Sequence, residues 1–393
     1  MSGRYRWAIL GLGILAQAAF AMLLQGLPAI GPALRAEYSL SLPGFGALLG
    51  AITVGATVGL IPWGLVTDRI GERVAISVGV FGAGAALVAA AAGGTGLLFA
   101  AFVTAGALGA VANVASGRVV MGWFRFTERG TAFGLRQAAV PLGGAVAAVS
   151  LPALVAVTDP RYGPLALGLA CIVAAGACAI WLRDPPVHGE RVRGWGPLRD
   201  RRVYRLAGGS AFLVALQAAV IGFTVLFLHG VRGVPEVGAG VVLAAIQVIG
   251  LVLRVIAGRW SDRLRRRIAP LRWTALTIAA AWVVAPLLFG APLVLLVPVL
   301  LTAGSLSFAW NGLSFNAAAE LAEPGRSGTA IAVQQTALFG MAAVVSPAFG
   351  WLVEATSWQG AFLIMAVGPL AAWWLLRPLQ AEEADRVALG SAT

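Results

Sequence analysis

Two arginines stand where charge is expensive. Arg136 lies eight residues beyond Glu128 and Arg254 eight residues before Asp262, each inside an otherwise apolar run. At 1.5 Å per helical residue that depth is roughly 12 Å. An arginine in hydrocarbon costs at least about 2.5 kcal/mol, and with a pKa above about 12 it keeps its proton. The acids cluster elsewhere: Glu37, Asp159, Glu236 and Glu354 near one set of helix ends, and Glu128, Glu320, Glu323, Asp68 and Asp262 near the other. Arginine without a buried acid is suited to hold an anion, because its planar fork meets a carboxylate at two points. The competing reading is structural, with the guanidinium bonded to helix carbonyls or reaching back to the membrane face. For Arg118, nearer the end of its run, that reach is the expectation. Neutral polar side chains accompany the arginines, and polar groups inside a span face a cavity or one another. The candidate substrate-binding set is therefore Arg254, Arg136, Gln25, Asn113, Gln137, Gln247, Asn311, Gln334 and Gln335, with Gln217 and Asn316 as further polar residues in the spans.

Other chemistry finds no footing. There is no nucleophile beside a base, no metal-ligand cluster and no phosphate loop, so neither an enzyme nor a cofactor is expected. Cys171 and Cys178 share one apolar stretch with no ligand or redox motif, and packing is their expected role. His188 and His229 stand without metal or triad company.

The elements that position these residues follow from composition. Of 393 residues, 59% are hydrophobic and 11% charged, where a soluble domain carries about a quarter charged; the bilayer must be the solvent. A spanning helix needs roughly 20 apolar residues, and twelve stretches qualify, near 7–30, 44–66, 74–93, 97–120, 130–156, 163–182, 205–229, 237–258, 271–290, 293–318, 327–353 and 358–378. The net charge of +12 is carried entirely by arginine. With twelve spans and the N-terminus inside, the external loops hold Arg35, Arg161 and Arg232, and the remaining loop arginines fall on the internal side. That bias places both termini in the cytoplasm. It also reads the basic runs as topology signals and lipid headgroup contacts rather than a nucleic-acid surface. The start of the chain imitates a leader peptide, with Arg4, Arg6, an apolar run and Ala16-Gln17-Ala18. It is read as the first span, because removing it would leave eleven.

The longest polar stretch, Arg183 to Arg205, divides the chain into halves that repeat each other. Gly130-Thr131-Ala132 followed by Arg136-Gln137 returns 198 positions later as Gly328-Thr329-Ala330 followed by Gln334-Gln335. The same offset carries Asn113 to Asn311, Ser116 to Ser314 and Arg118 to Asn316, while Gln17 corresponds to Gln217. The fold class expected is all-α: twelve transmembrane helices in two pseudo-symmetric six-helix bundles. The divisions are 1–183, a cytoplasmic linker 184–204, 205–378, and a disordered cytoplasmic tail 379–393. Repeated halves of this kind build alternating-access transporters.

Between spans 2 and 3 the chain reads Gly64-x-x-x-Asp68-Arg69-x-Gly71-x-Arg73, and between spans 8 and 9 a degenerate copy contains Gly258, Asp262 and Arg263. The pair resembles the loop signature of the major facilitator superfamily. Glu72 stands where that family has a base, and Arg265 where the second copy would have glycine. The resemblance implies that Gly64, Asp68, Arg69, Gly71, Arg73, Gly258, Asp262 and Arg263 form a cytoplasmic latch between the halves. The glycines would allow close helix approach, and Asp68 would bond helix amides and an arginine. It also implies that the nearly apolar spans 3, 6, 9 and 12 face lipid. Arg254-x-x-x-Gly258 is similar to the eighth-span arginine of monocarboxylate and oxalate carriers in the family, although Gly250 and Gln334-Gln335 depart from their pattern.

The expected activity is secondary transport of a small organic anion across the cell inner membrane, proton-coupled or by anion exchange, by a monomer whose partners are that anion, possible co-transported protons and the lipid bilayer. Two alternatives stand open. A proton-antiporting drug or amphiphile exporter is supported by Val140-Pro141-Leu142-Gly143-Gly144, which is equally a close-packing segment. A non-transporting receptor on the same fold is the other.

Overall fold

The computed structural model describes residues 5–124, 126–184, 200–321 and 327–390. Most of the 184–204 linker, with His188, lies outside the described residues, as do Glu323 and the last three residues of the tail.

Among the described residues twelve helices are long and apolar enough to cross a membrane. They are α1 (Tyr5–Glu37), α2 (Leu42–Ile70), α3 (Glu72–Ala90), α4 (Thr95–Val120), α5 (Thr131–Val155), α6 (Tyr162–Trp181), α7 (Arg201–Gly230), α8 (Glu236–Leu264), α9 (Ile268–Leu288), α10 (Leu293–Leu321), α11 (Thr329–Ala355) and α12 (Trp358–Ala384). Several carry breaks with local causes. In α1 the residues Met22–Gly26 form a π turn and Leu27–Ile30 a 3-10 turn. Pro28 has no N–H to give the turn before it, so the ladder re-registers. The tail, expected to be irregular, is helical over Arg377–Gly390.

Two compact units emerge. The first comprises residues 1–191 with 221–244, and the second 192–220 with 245–393. The outer ends of α7 and α8 thus belong with α1–α6. Within the first unit the Phe45 and Phe223 rings meet edge to face at 6.2 Å. Small residues let its helices touch: a Cβ added at Gly143 would strike the Ala18 carbonyl, and one at Gly240 the Ala148 carbonyl. The Pro141–Gly144 segment is therefore a packing surface for α1.

Large apolar side chains are exposed on α3, α6, α9 and α12, and also on other spans such as α2 (Val58, Ile61) and α8 (Val252, Ile256). Val74, Val78 and Phe81 on α3, Leu169, Val173 and Trp181 on α6, Trp273 and Val283 on α9, and Val367 and Trp374 on α12 are all exposed. In water such surface would be an aggregation liability; in a bilayer it is the solvated face.

Candidate functional site

In the first unit, α4 breaks at Ala110, and Asn113 N–H bonds the Ala110 carbonyl at 3.0 Å as the helix resumes. The new turn puts Asn113 and Ser116 on one face, three residues apart. Into that face comes Arg136 from α5, only 7% exposed. Its Nε donates to Ser116 Oγ at 2.8 Å, Nη1 to Gln137 Oε1 at 3.1 Å, and Nη2 to the Asn113 carbonyl at 2.5 Å and to Gln17 Oε1 at 3.3 Å. Gln17, from α1, also donates from Nε2 to Asn113 Oδ1 at 2.5 Å, and Ser116 Oγ donates to Gln17 Oε1 at 3.2 Å. Every acceptor around the guanidinium is neutral. Hydrogen bonds between membrane helices average about 0.6 kcal/mol; three of these cross to α1 or α4, the Gln137 bond staying within α5, and together they offset about 1.8 kcal/mol, somewhat less than the cost of insertion. They leave the positive charge uncancelled.

The second unit contains the counterpart. The α10 helix breaks at Ser307–Ala309, and Asn311 N–H bonds the Phe308 carbonyl at 3.5 Å. Asn311 Nδ2 donates to Gln217 Oε1 at 3.0 Å. Gln334 stands at the Arg136 position and donates from Nε2 to Ser314 Oγ and, at 3.1 Å, to Ser210 Oγ. The two serine hydroxyls are 2.5 Å apart. The residues are as buried as their counterparts: Gln334 1%, Gln217 4%, Ser314 0%. No side chain in this cluster carries charge.

The cytoplasmic loop motifs are also duplicated. Gly71 has φ of +81°, and Arg265, at the matching place, has φ of +51°. Both chains turn in the left-handed region, which glycine adopts freely and arginine at a cost. In the first unit Arg118 of α4 pairs with Asp68 and, through Nε at 3.1 Å, with Glu72, whose side chain is 3% exposed. In the second the polarity is reversed: Arg267 of the loop pairs with Asp262 and, at 2.8 Å, with Glu320 of α10. A carboxylate then caps the third helix of each half, from just after α6 in the first and from the end of α12 in the second. Asp184 accepts from Arg73 N–H at 2.8 Å, while Glu383 accepts from Arg267, Ile268 and Ala269 N–H at 2.5–3.1 Å. Acids at helix N-termini gain from the helix dipole.

The Major Facilitator Superfamily profile matches residues 9–347. The chain belongs to the major facilitator superfamily. An uncharacterized MFS-type transporter of Mycobacterium tuberculosis is 31% identical over 373 residues, 93% of this chain and 84% of that protein. A bacterial homolog of the human lysosomal transporter Spinster, crystallised inward-facing and unoccupied, superposes with a TM-score of 0.82 at 16% identity over 96% of this chain and 97% of that one. A D-xylose-proton symporter gives 0.76 at 17% identity, over 95% and 97%. At such identities the solved structures share the fold alone.

Within this superfamily member the expected site residues separate into groups. Arg136, Asn113 and Gln137 come together around Gln17 and Ser116. Asn311 and Gln334 occupy one core with Gln217, Ser210 and Ser314. Gln25 lies on the π turn of α1, and Gln247 is fully buried on α8. Arg254 is half-buried with its stem over Gly312, where an added Cβ would meet its Cγ at 3.2 Å. Gln335 is half-buried beside Gln334. Two expectations are corrected. Arg118 does not reach freely to the membrane face, because two carboxylates hold it. A Cβ at Gly64 or Gly258 would meet nothing within 4 Å, so neither marks a close approach in this structure. Arg69 and Arg263 are exposed, and Arg73 gives Nε and Nη2 to the Ala179 carbonyl. Gln17, Ser116, Ser210 and Ser314 were missing from the candidate set; the repeat had flagged all but Ser210.

Proposed function

We propose that this superfamily member carries a small organic anion of monocarboxylate type across the cell inner membrane by alternating access, with Arg136 and Arg254 as the cationic part of the substrate site. The observation that supports this reading is the Arg136 guanidinium, buried among neutral acceptors with its charge intact. Four hydrogen bonds engage it and a guanidinium has five donors, so one N–H is left for a ligand. A carboxylate would supply the counter-charge that the four neutral acceptors lack, in a bond with both partners ionised. On this reading the bound anion neutralises the core and permits closure, with a proton moving alongside or a second anion exchanged. The loop motifs, each tied into its own half by arginine–carboxylate pairs, act as the cytoplasmic latch.

The test is uptake of labelled lactate and oxalate into proteoliposomes, with and without a pH gradient. Uptake that depends on Arg254 and Arg136 supports the assignment; unchanged uptake in Arg254→Gln and Arg136→Gln sinks it. One feature favours a second reading. Arg136 is almost saturated by its own half, as a purely structural arginine would be, and an amphiphile exporter with an apolar cavity fits that. Such a protein would leave both acids outside the vesicle and export a labelled amphiphile instead.

A further inference from the structure

Glu236, the first residue of α8, differs from the acids around it. Its carboxylate accepts a hydrogen bond from the Ala33 N–H, while Oε1 is buried and accepts none. Other acids have firm partners: Glu37 has Arg161, Asp68 and Glu72 have Arg118, Glu128 has Arg6, and Asp262 and Glu320 have Arg267. Asp184 and Glu383 cap helix N-termini. Glu236 has a single backbone amide.

Its surroundings are the end of the first unit that the arginine bias assigns to the outside. Here α7 and α8 pack on α1, α2 and α5. An added Cβ at Gly31 would meet the Phe45 ring at 2.9 Å and Leu226 at 3.3 Å, one at Gly222 would meet Leu49 at 3.0 Å, and Gly240 touches the Ala148 carbonyl. Alternating access requires this seal to part. Ala33, which grips Glu236, lies in the short helix Gly31–Glu37 that closes α1.

The charged groups nearby are few. On α7, His229 is close enough to act on Glu236 electrostatically, and its Nδ1 is 2.9 Å from the Val234 carbonyl. Arg232 lies in the turn between α7 and α8. On the Ala33 side, Arg35 donates from Nε to the Leu40 carbonyl and Glu37 is held by Arg161. The outer stretches of α2 (42–61) and α5 (141–155) contain no titratable residue.

We propose that Glu236 is a proton-binding site that governs the outer seal: the seal closes over the neutral acid and opens when the carboxylate ionises. The warrant is the orphaned oxygen. A carboxylate with one oxygen buried and unbonded, one amide partner and no ion pair is costly, and it gains its missing hydrogen bonds from water once the seal parts. Protonation removes that cost and leaves the closed contacts intact. An imidazolium at His229 would act in the opposite sense, by favouring the ionised acid. In the transport cycle this makes closure from the outside require a proton as well as the anion, which deepens the reading above by naming where a coupled proton binds.

Spin labels at Val157 and Val231, both exposed on the outer side, report the seal in the full chain reconstituted in lipid nanodiscs. Pulsed dipolar distance distributions are measured from pH 5 to pH 9. The expected result is a single short distance in acid, with a longer population growing as pH rises. Glu236→Gln is expected to remain short at every pH, while His229→Gln keeps the transition and moves its midpoint upward, because the charge that favoured the ionised acid is gone. If Glu236→Gln fails to insert, Glu236→Asp serves, with the transition retained and its midpoint shifted. A distribution that does not change with pH, or a transition that survives unaltered in Glu236→Gln, overturns the proposal. The readout needs no substrate, so failure of lactate or oxalate uptake alongside an intact pH transition removes the anion reading and leaves the proton site standing.

Discussion

The two polar cores share a plan and differ by one charge. Each is built where a helix breaks and resumes: Asn113 and Ser116 follow the Ala110 break in α4, and Asn311 and Ser314 follow the Phe308 break in α10. Each receives a glutamine from the first helix of its half, Gln17 or Gln217. The fifth helix then contributes Arg136 in one half and Gln334 in the other. In the second core a serine from α7, Ser210, helps to fill the space, bonding its own helix at Leu206 O as well as Gln334. A duplicated scaffold that needs polar residues only to join helices has no reason to keep a cation in one copy. The cation carries a cost of about 2.5 kcal/mol that the neutral copy shows to be avoidable. The cytoplasmic loops teach the same lesson with the sign exchanged. Both copies keep the turn, the carboxylate cap and the arginine–acid pairs, but the arginine comes from α4 in one half and from the loop itself in the other.

The comparison can be broken at the loops with the largest effect. Arg118→Ala leaves Glu72 buried without its partner, and removing one side of a buried pair costs about 3 kcal/mol. Thermal unfolding of the detergent-solubilised protein should show a clear loss of stability, and adding Glu72→Gln should restore part of it. A loss no larger than that of an exposed arginine such as Arg263 would mean that the pairs do not hold the half together. Next in size is Gln334→Arg, which gives the second core the charge of the first. It should lower stability by about 2 kcal/mol, the cost of placing an arginine in a core that now holds no charge. Stability equal to the unmodified chain would show the two cores to be interchangeable and the charge to be incidental. Smallest is Glu383→Gln, which weakens a cap of three backbone N–H groups and should cost about 1 kcal/mol, read in the same unfolding assay. Asp184→Asn, with one such bond, should cost less.

Much of this was legible in the sequence because hydropathy and repetition are long-range patterns that no single contact can disguise. The twelve spans, the apolar character of α3, α6, α9 and α12, and the correspondence of Asn113 with Asn311 and Ser116 with Ser314 all follow from them. Partners across helices were not legible. Arg118 was expected to reach for the membrane face because its depth was the only datum; that Glu72, an apparent departure from the motif, approaches it from α3 depends on how the helices pack. Ser210 gave no signal, since a serine in a span commonly bonds its own helix, as this one also does. Gln17 was visible in the repeat but sat inside what imitates a leader peptide. The helical tail was obscured by its polar composition, and Glu383 acquires its role only once it meets the start of α9.

The central claim is that the charge of Arg136 is kept for an anion. It is tested most directly by initial-rate uptake of labelled lactate and oxalate in proteoliposomes containing the unmodified chain, Arg136→Lys and Arg136→Gln. The glutamine variant reproduces the neutral core of the other half and should fold. Its uptake should fall on the order of 100-fold, equivalent to about 3 kcal/mol of lost charge-assisted bonding, and the lysine variant, a point charge without the fork, should fall between. Uptake by Arg136→Gln equal to that of the unmodified chain would contradict the account and leave Arg136 as a structural residue.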